Sequence, residues 1–257
     1  MIEHIPYWIF VAGAVAAMLC AAVLACTAYG RSAKLRDMVR FVVSPVEYDA
    51  ADRAAGSIVK TFLWFFVIHL SVTALFHVAD LVLFGDVKPA NSVGSAADKF
   101  PVWFILAVPP MLEEIAFRLS LRRRRGYVAL SAAALAFIVS APIAGTMVYE
   151  VSWPRIAVAA AAAAIFWRWG YAWTRRVDFR VWFWGVAVLF SILHMANYGS
   201  DIVGVGGWVR VLFAETARIP SALMFGYVRL RHGFGVAVVL HLINNILPFL
   251  LVSGTDA

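Results

Sequence analysis

Residues 58–84 read IVKTFLWFFVIHLSVTALFHVADLVLF, a run whose only fully charged side chains are Lys60 and Asp80. As an α-helix it would be ~40 Å long at ~1.5 Å per residue, more than the ~30 Å of a bilayer's hydrocarbon core. The whole chain agrees with this stretch. Of 257 residues, 63% are apolar and only 14% charged, and the mean hydropathy is +0.83. A soluble domain carries about 25% charged residues. This composition excludes a disordered chain, a disulfide-stapled secreted scaffold and an ordinary cytosolic enzyme. The expected fold is all-α, a polytopic transmembrane helical bundle.

Outward from that run, seven further segments have spanning character, for about eight spans in all. They are Ile5 to Tyr29, Ile58 to Phe84, Pro101 to Phe117, Tyr127 to Tyr149, Ile156 to Trp173, Val181 to Tyr198, Trp208 to Leu230 and Gly233 to Ser253. The start, Met1-Ile2-Glu3-His4, lacks the basic n-region of a signal peptide, so the first run is expected to remain as a helix. The longest connection, Gly30 to Ser57, has room for an amphipathic surface helix. Cys20 and Cys26 both fall in the first run and are read as buried, inert thiols.

The net charge of +7 and pI near 9.7 are spent on topology rather than on nucleic acid. Basic residues concentrate after odd-numbered spans: Arg31, Lys34, Arg36, Arg40 and Arg53, then Arg118 and Arg122 to Arg125, then Arg175, Arg176 and Arg180, then Arg229 and Arg231. The opposite side holds only Lys88, Lys99 and Arg155. By the positive-inside rule the first set is cytoplasmic and both termini are outside. The expected location is therefore an integral position in a bacterial cytoplasmic (inner) membrane, with the lipid bilayer as a partner and no nucleic acid.

Ionisable side chains within spans are costly and mark functional candidates. Position accounts for several of them. Asp80 and Arg210 lie near outer ends, Arg168 is within snorkelling reach of an inner end, and Glu215 and Arg218 sit three apart, close enough to neutralise one another. His69 and His77 are read as structural. Three clusters remain. In the first, Glu113-Glu114 precede Arg118; Glu114 and Arg118 are four apart on one helix face, while Glu113 projects about 100° away. The second runs from Phe190 through His194 to Asn197. The third is His241 with Asn244 and Asn245, where His241 and Asn245 lie one turn apart.

Glu-Glu-x-x-x-Arg, Phe-x-x-x-His and His-x-x-x-Asn, in that order on separate spans, resemble the CPBP family of CAAX proteases and bacteriocin-processing enzymes, which includes CAAX prenyl protease 2 and lysostaphin-resistance-A-like proteins. The matching residues are Glu113, Glu114 and Arg118, then Phe190 and His194, then His241 and Asn245. The resemblance covers roughly residues 100–251, and Gly226 to Gly233 resembles the family's last hairpin. It divides the chain into residues 1–99, two N-terminal spans with a cytoplasmic loop, and residues 100–257, a catalytic core. One departure is the 81 residues between Glu113 and His194, which leave space for an extra helical pair at about 127–173.

The resemblance implies an intramembrane endopeptidase that hydrolyses a peptide bond of a membrane-bound protein or peptide. Glu113 would serve as general base, His194 would orient the water, and His241 and Asn245 would donate to the oxyanion. Glu114 and Arg118 would support the helix end. A metal-free glutamic mechanism with no cofactor is favoured because His-Glu-x-x-His and cysteine ligands are absent. Zinc held by Glu113, His194 and His241 is the alternative. Two other classes compete: a proton-coupled membrane transporter, which would show internal repeats and broken helices, and a non-catalytic immunity or binding protein on the same scaffold.

Overall fold

The computed structural model describes residues 25–48, 51–85, 100–198, 202 and 204–253, with side chains of the last helix described as far as Leu247. Among these residues the fold is all-α. Almost all of the expected first span, Ile5 to Tyr29, lies outside the described residues, Cys20 with it; Cys26, expected to be buried, is exposed.

Helix α1, Ala33–Val43, is the amphipathic element expected within the first long connection. The Ser32 side chain caps it by accepting from the Leu35 amide at 3.1 Å. Leu35, Met38 and Phe41 recur every three residues and are buried, so α1 packs by one face. Helix α2, Ala55–Phe84, carries the decisive apolar run and buries only Thr61, Phe65 and Asp80. Val59, Leu63, Val67, Leu70 and Leu83 stay exposed, as suits a helix surrounded by hydrocarbon. Three helical stretches are long and apolar enough to cross a membrane: Ala55–Phe84, Arg125–Ile143 and Phe179–Asn197. They mark this as a membrane protein.

The third expected span does not stop at Phe117. Helix α3, Val102–Glu113, continues through a π-helical turn, Glu114–Arg118, and a 3-10 turn, Leu119–Leu121. Pro109 and Pro110 lie inside α3 and remove two backbone donors there. Irregular backbone shielded from water is tolerated where other parts of the protein satisfy it. Here Ser131 Oγ donates to the Ala116 carbonyl, and Arg229 Nε donates to the Arg118 carbonyl at 3.2 Å. Arg118 and Arg229 are therefore interior residues, 1% and 4% exposed, and not cytoplasmic loop charges.

Helix α4, Arg125–Ile143, ends six residues before the expected Tyr149, and Gly145 turns the chain at φ +64°. Helix α5, Trp153–Ile165, starts with Pro154 in its first turn and packs back along α4, forming the extra pair. Arg155, expected on the outer surface, is 1% exposed. It donates to the carbonyls of Phe137 (2.7 Å), Val148 (2.8 Å), Met147 (3.0 Å) and Glu150, and lies 3.9 Å over the Phe137 ring. It thereby pins the connection between the two helices. A second π turn, Phe166–Gly170, leads into α6, Tyr171–Arg176. Helix α7, Phe179–Leu193, is capped by the Asp178 side chain and runs on as a 3-10 turn, His194–Asn197.

The expected seventh span, Trp208 to Leu230, is two helices: α8, Gly204–Thr216, and α9, Arg218–Arg231. Pro220 explains the break. Its ring lacks an N–H and clashes with the carbonyl four residues back, at Thr216, so α8 cannot continue. Helix α10, Phe234–Ser253, follows a tight turn at Gly233.

Helix α9 occupies the centre. Ser221 through Leu230 are all buried, and the helix touches α1, α2, α7 and α10. At Gly226, α9 packs tightly against α7: a Cβ there would come within 2.6 Å of Phe183 Cε2 and 3.3 Å of Leu121 Cδ1. Phe183 is itself 2% exposed and edge-on to Phe41 at 5.4 Å, so it has little room to yield. Gly226→Ala is expected to destabilise the fold by about 1–3 kcal/mol through overpacking. Thermal unfolding in detergent micelles checks this; an unchanged midpoint would show that Phe183 can turn aside.

Candidate active site

The end of α3 and the π turn after it carry Glu113 and Glu114, the 3-10 turn after α7 carries His194, and α10 carries His241. Adjacent carboxylates at Glu113 and Glu114 take different surroundings. The Glu114 side chain is fully buried, whereas that of Glu113 is 23% exposed. Glu114 Oε1 lies 2.9 Å from His241 Nδ1 and 3.6 Å from Arg118 Nε. Glu114 therefore orients the His241 ring, a contact its spacing to Arg118 did not reveal.

Glu113 faces two imidazoles. His194 Nε2 is 3.9 Å from its Oε1, and His241 Nε2 is 3.6 Å from its Oε2. Both gaps exceed a direct hydrogen bond and are of the size that a bridging water fills. His194 Nδ1 lies 2.8 Å from the Phe190 carbonyl, which can only accept, so Nδ1 carries the hydrogen. In the neutral ring, Nε2 then presents its lone pair toward Glu113. The Phe-x-x-x-His spacing has a mechanical sense here, since residue 190 supplies both this carbonyl and a ring 4.4 Å from the imidazole.

Arg118 closes the arrangement from beneath. Its guanidinium carbon is 4.0 Å from the Phe190 ring centre and 5.5 Å from that of Phe225. Phe225 in turn stacks on His241 at 4.5 Å. Each imidazole thus touches a phenyl ring, His241 stacked and His194 tilted, and one buried cation contacts both phenyl rings. Arg118 Nη1 and Nη2 and Glu114 Oε2 are buried without hydrogen-bond partners among the described residues. Arg118 does not end a helix at the cytoplasmic surface, as its motif suggested.

The depths of the two motifs also reconcile. Counting from the expected span ends, Glu113 and His194 should sit at different heights. Extension of α3 through Leu121 removes the mismatch: Phe117 meets Phe190 edge-on at 5.1 Å, each four residues from the groups that meet above them. Asn245 follows His241 by one turn of α10 and is half-buried, as is Asn244.

Several polar side chains were not read as parts of one structure. Tyr149, in the α4–α5 connection, lies close enough to Glu113 to feel its charge; burial first, then that charge, pushes its phenol up to about 12. Asp80 and Arg210 are partners: Arg210 Nε donates to Oδ1 at 2.9 Å and Nη2 to Oδ2 at 2.6 Å, joining α2 to α8. Glu215 and Arg218 do pair, but across the break between α8 and α9 rather than along one helix. His69 is held by Ser221, with Nδ1 at 2.7 Å from Oγ.

Among the described residues, no group of three or more His, Cys, Asp and Glu side chains has an arrangement suited to a metal ion. A cavity of about 430 Å³ lies between the π turn, α4 and α7, lined by apolar and small side chains such as Phe117, Ser131, Leu135, Val181 and Leu189. Glu113, His194 and His241 are not among its lining residues; the extra helical pair supplies one wall. No protein-family model, curated protein or solved structure matches the chain.

Proposed function

We propose that this protein is an intramembrane endopeptidase of the CPBP type, cutting a peptide bond in a membrane-bound protein or peptide with water activated by Glu113. The observation that carries the reading is the approach of two imidazole Nε2 atoms, from separate helices, to the two oxygens of one partly exposed carboxylate. A water between Glu113 Oε1 and His194 Nε2 can donate one hydrogen to each and direct its lone pair at a substrate carbonyl. Glu113 takes a proton as the water oxygen bonds to the carbonyl carbon. The resulting oxyanion is met by the Asn245 amide and by His241 Nε2–H. Glu113 then returns its proton to the departing amine as the C–N bond breaks.

His241 has a hydrogen at Nε2 in two states: when Glu114 is protonated and donates to Nδ1, or when the ring is an imidazolium donating to Glu114. Glu114 is the orienting group in both. Asn245→Ala removes one oxyanion donor and leaves the base, so kcat is expected to fall about 10²–10³-fold with KM nearly constant. Steady-state cleavage of a membrane peptide in nanodiscs checks this, and a pure KM effect would assign Asn245 to substrate binding instead.

Eight crossings belong to the same reading, with both termini outside the bacterial inner membrane and the Arg122 to Arg125 turn in the cytoplasm. The three membrane-length helices support it, as do the 20 residues from Val102 to Leu121 and the apolar α10. In this scheme α8 and α9 together make the seventh crossing. Reporter fusions at Arg125 should report a cytoplasmic location; an outer location would invert the topology.

The break between α8 and α9 favours the transporter reading, because carriers use interrupted helices. Purified protein in proteoliposomes separates the two. A carrier moves protons with solute and cuts nothing; a protease cleaves a peptide without proton flux.

A further inference from the structure

We propose that the cavity between the π turn, α4 and α7 holds one acyl chain of an anionic phospholipid whose phosphate is received by Arg124 and Arg125. The inference stands apart from the protease reading. It needs only a protein in a bilayer, and it gives the extra helical pair a ligand.

The cavity has the size and the opening of a site for an apolar chain. Its volume of about 430 Å³ falls within the ~300–1,000 Å³ of small-molecule pockets. One wall runs along α4 from Val128 to Leu135 and another along α7 from Val181 to Leu189. Steps of seven and eight residues at ~1.5 Å each make these walls ~10–12 Å long. Ser131, within the first wall, turns its Oγ to the Ala116 carbonyl, so that hydroxyl is already satisfied. Val181, Gly185 and Leu189 share one face of α7 at four-residue steps, line the cavity and are exposed. The cavity therefore opens sideways along a stretch of membrane length, where the surroundings are hydrocarbon. An apolar space of this kind takes an apolar guest rather than water.

Charge supplies the other half of the ligand. Arg125 precedes Val128 by three residues on the same face of α4, and Arg124 stands at the cap of that helix. Both are exposed. Their neighbours are engaged elsewhere: Arg122 Nη2 donates to the Leu230 carbonyl at 3.5 Å, and Arg123 donates to Glu47 and to the Thr174 and Val177 carbonyls. The acids at this end, Glu47 and Asp178, also have partners. Glu47 takes Arg123 and lies 3.7 Å from Arg175, while Asp178 accepts from the Arg180 amide at 2.8 Å. Helix α4 starts here with no side-chain cap, which adds the partial positive charge of its first N–H groups.

Aromatic rings mark the level of the membrane surface. Trp167 packs beside Gly126, since a Cβ on that glycine would lie 3.5 Å from Trp167 Cζ3. Trp167, Trp169, Tyr171 and Trp173 are exposed, as rings at headgroup level are. Phe166, which lines the cavity, meets Trp173 edge-on at 5.7 Å. A phosphate at Arg124 and Arg125 is thus level with this belt, and the space from Val128 to Leu135 reaches toward the hydrocarbon. Basic pockets between membrane helices are where anionic headgroups bind. Ala116 and Phe117 also line the cavity, so the chain lies against the π turn that holds Glu114 and Arg118.

Gly185 makes the test clean, because a Cβ there meets nothing within 4 Å. Gly185→Leu fills the cavity from its open side, and Ala132→Leu fills it from α4. Full-length protein, stripped of lipid in detergent, is titrated with phosphatidylglycerol and with phosphatidylcholine of the same chains. Native mass spectrometry counts the bound lipid. One phosphatidylglycerol should bind at least about 10-fold more tightly than phosphatidylcholine, since each arginine near a headgroup contributes about 5-fold. Arg124→Gln with Arg125→Gln should bring that ratio close to 1. Either cavity-filling variant should weaken the first binding step of both lipids about 10-fold, and Gly185→Leu should unfold no earlier than the wild type. Unchanged first-step binding in both filled variants would overturn the inference and leave the arginines with surface lipid only. Equal affinity of the wild type for the two lipids would overturn it as well. So would a dimer that Gly185→Leu dissociates, which would give the cavity to a second copy. A lower unfolding midpoint in both filled variants, with no lipid bound to the wild type, would give it to another segment of this chain, and the inference falls.

Discussion

Glu113→Gln is expected to lower peptide cleavage about 10⁴-fold while the protein still folds, reaching the upper end of what one general acid–base group supplies. Glutamine keeps the size of the side chain and its ability to accept a hydrogen bond from water, but it cannot take a proton. The structural cost should be small because the Glu113 side chain is 23% exposed and lies beyond direct hydrogen-bond distance of both imidazoles. Its neighbour Glu114 gives the contrast. That carboxylate is sealed between His241 and Arg118, and Glu114→Gln should reduce the yield of folded protein as well as the rate. Turnover in nanodiscs, read beside a thermal unfolding curve, separates the two outcomes. Cleavage by Glu113→Gln at the wild-type rate would remove Glu113 as the base. Sensitivity to a chelator, with activity and bound zinc restored together, would turn Glu113, His194 and His241 into ligands.

Asp80→Ala should have the largest effect on stability. It strands Arg210, whose guanidinium has both carboxylate oxygens and the Gly85 carbonyl as partners at 7% exposure. Removing one member of a buried pair costs about 3–5 kcal/mol, because the remaining charge has lost its partner but not its surroundings. Replacing both, as Asp80→Leu with Arg210→Met, should recover most of that loss by exchanging a charge pair for apolar packing. Denaturant unfolding in micelles measures all three variants. If Asp80→Ala unfolds like the wild type, the outer ends of α2 and α8 are reached by water and the pair is a surface one.

The apolar runs made α2, α4 and α7 readable, because a helix in hydrocarbon must be apolar over its full length. The three-residue spacing of Leu35, Met38 and Phe41 is a similar signal for α1. Glu113, His194 and His241 were readable as polar exceptions in such runs, and the structure brings them within 4 Å of one another through Glu113. Hydropathy has no means of showing which charges meet across helices. Asp80 and Arg210 are 130 residues apart, and each alone resembles an interfacial charge. Arg118, Arg155 and Arg229 each stand beside a loop in sequence and so look like loop charges, yet phenyl rings and carbonyls take them inside. The division at Ala217 did have a local cue, Pro220, which a count of apolar residues passes over.

The π turn has a consequence for angular phase. In an ordinary helix each residue advances the side-chain direction by about 100°. A π turn holds one residue more than an α turn would, so all of α3 is indexed one step further round than Arg118 and the 3-10 turn below it. Deleting Ile115 would let the segment wind as plain α-helix. Arg118 would keep its seat between Phe190 and Phe225, while Glu113 swung about 100° away from the two imidazoles. The extra residue therefore works as a key-way, setting the rotational position of the carboxylate independently of the aromatic bed on which the histidines rest.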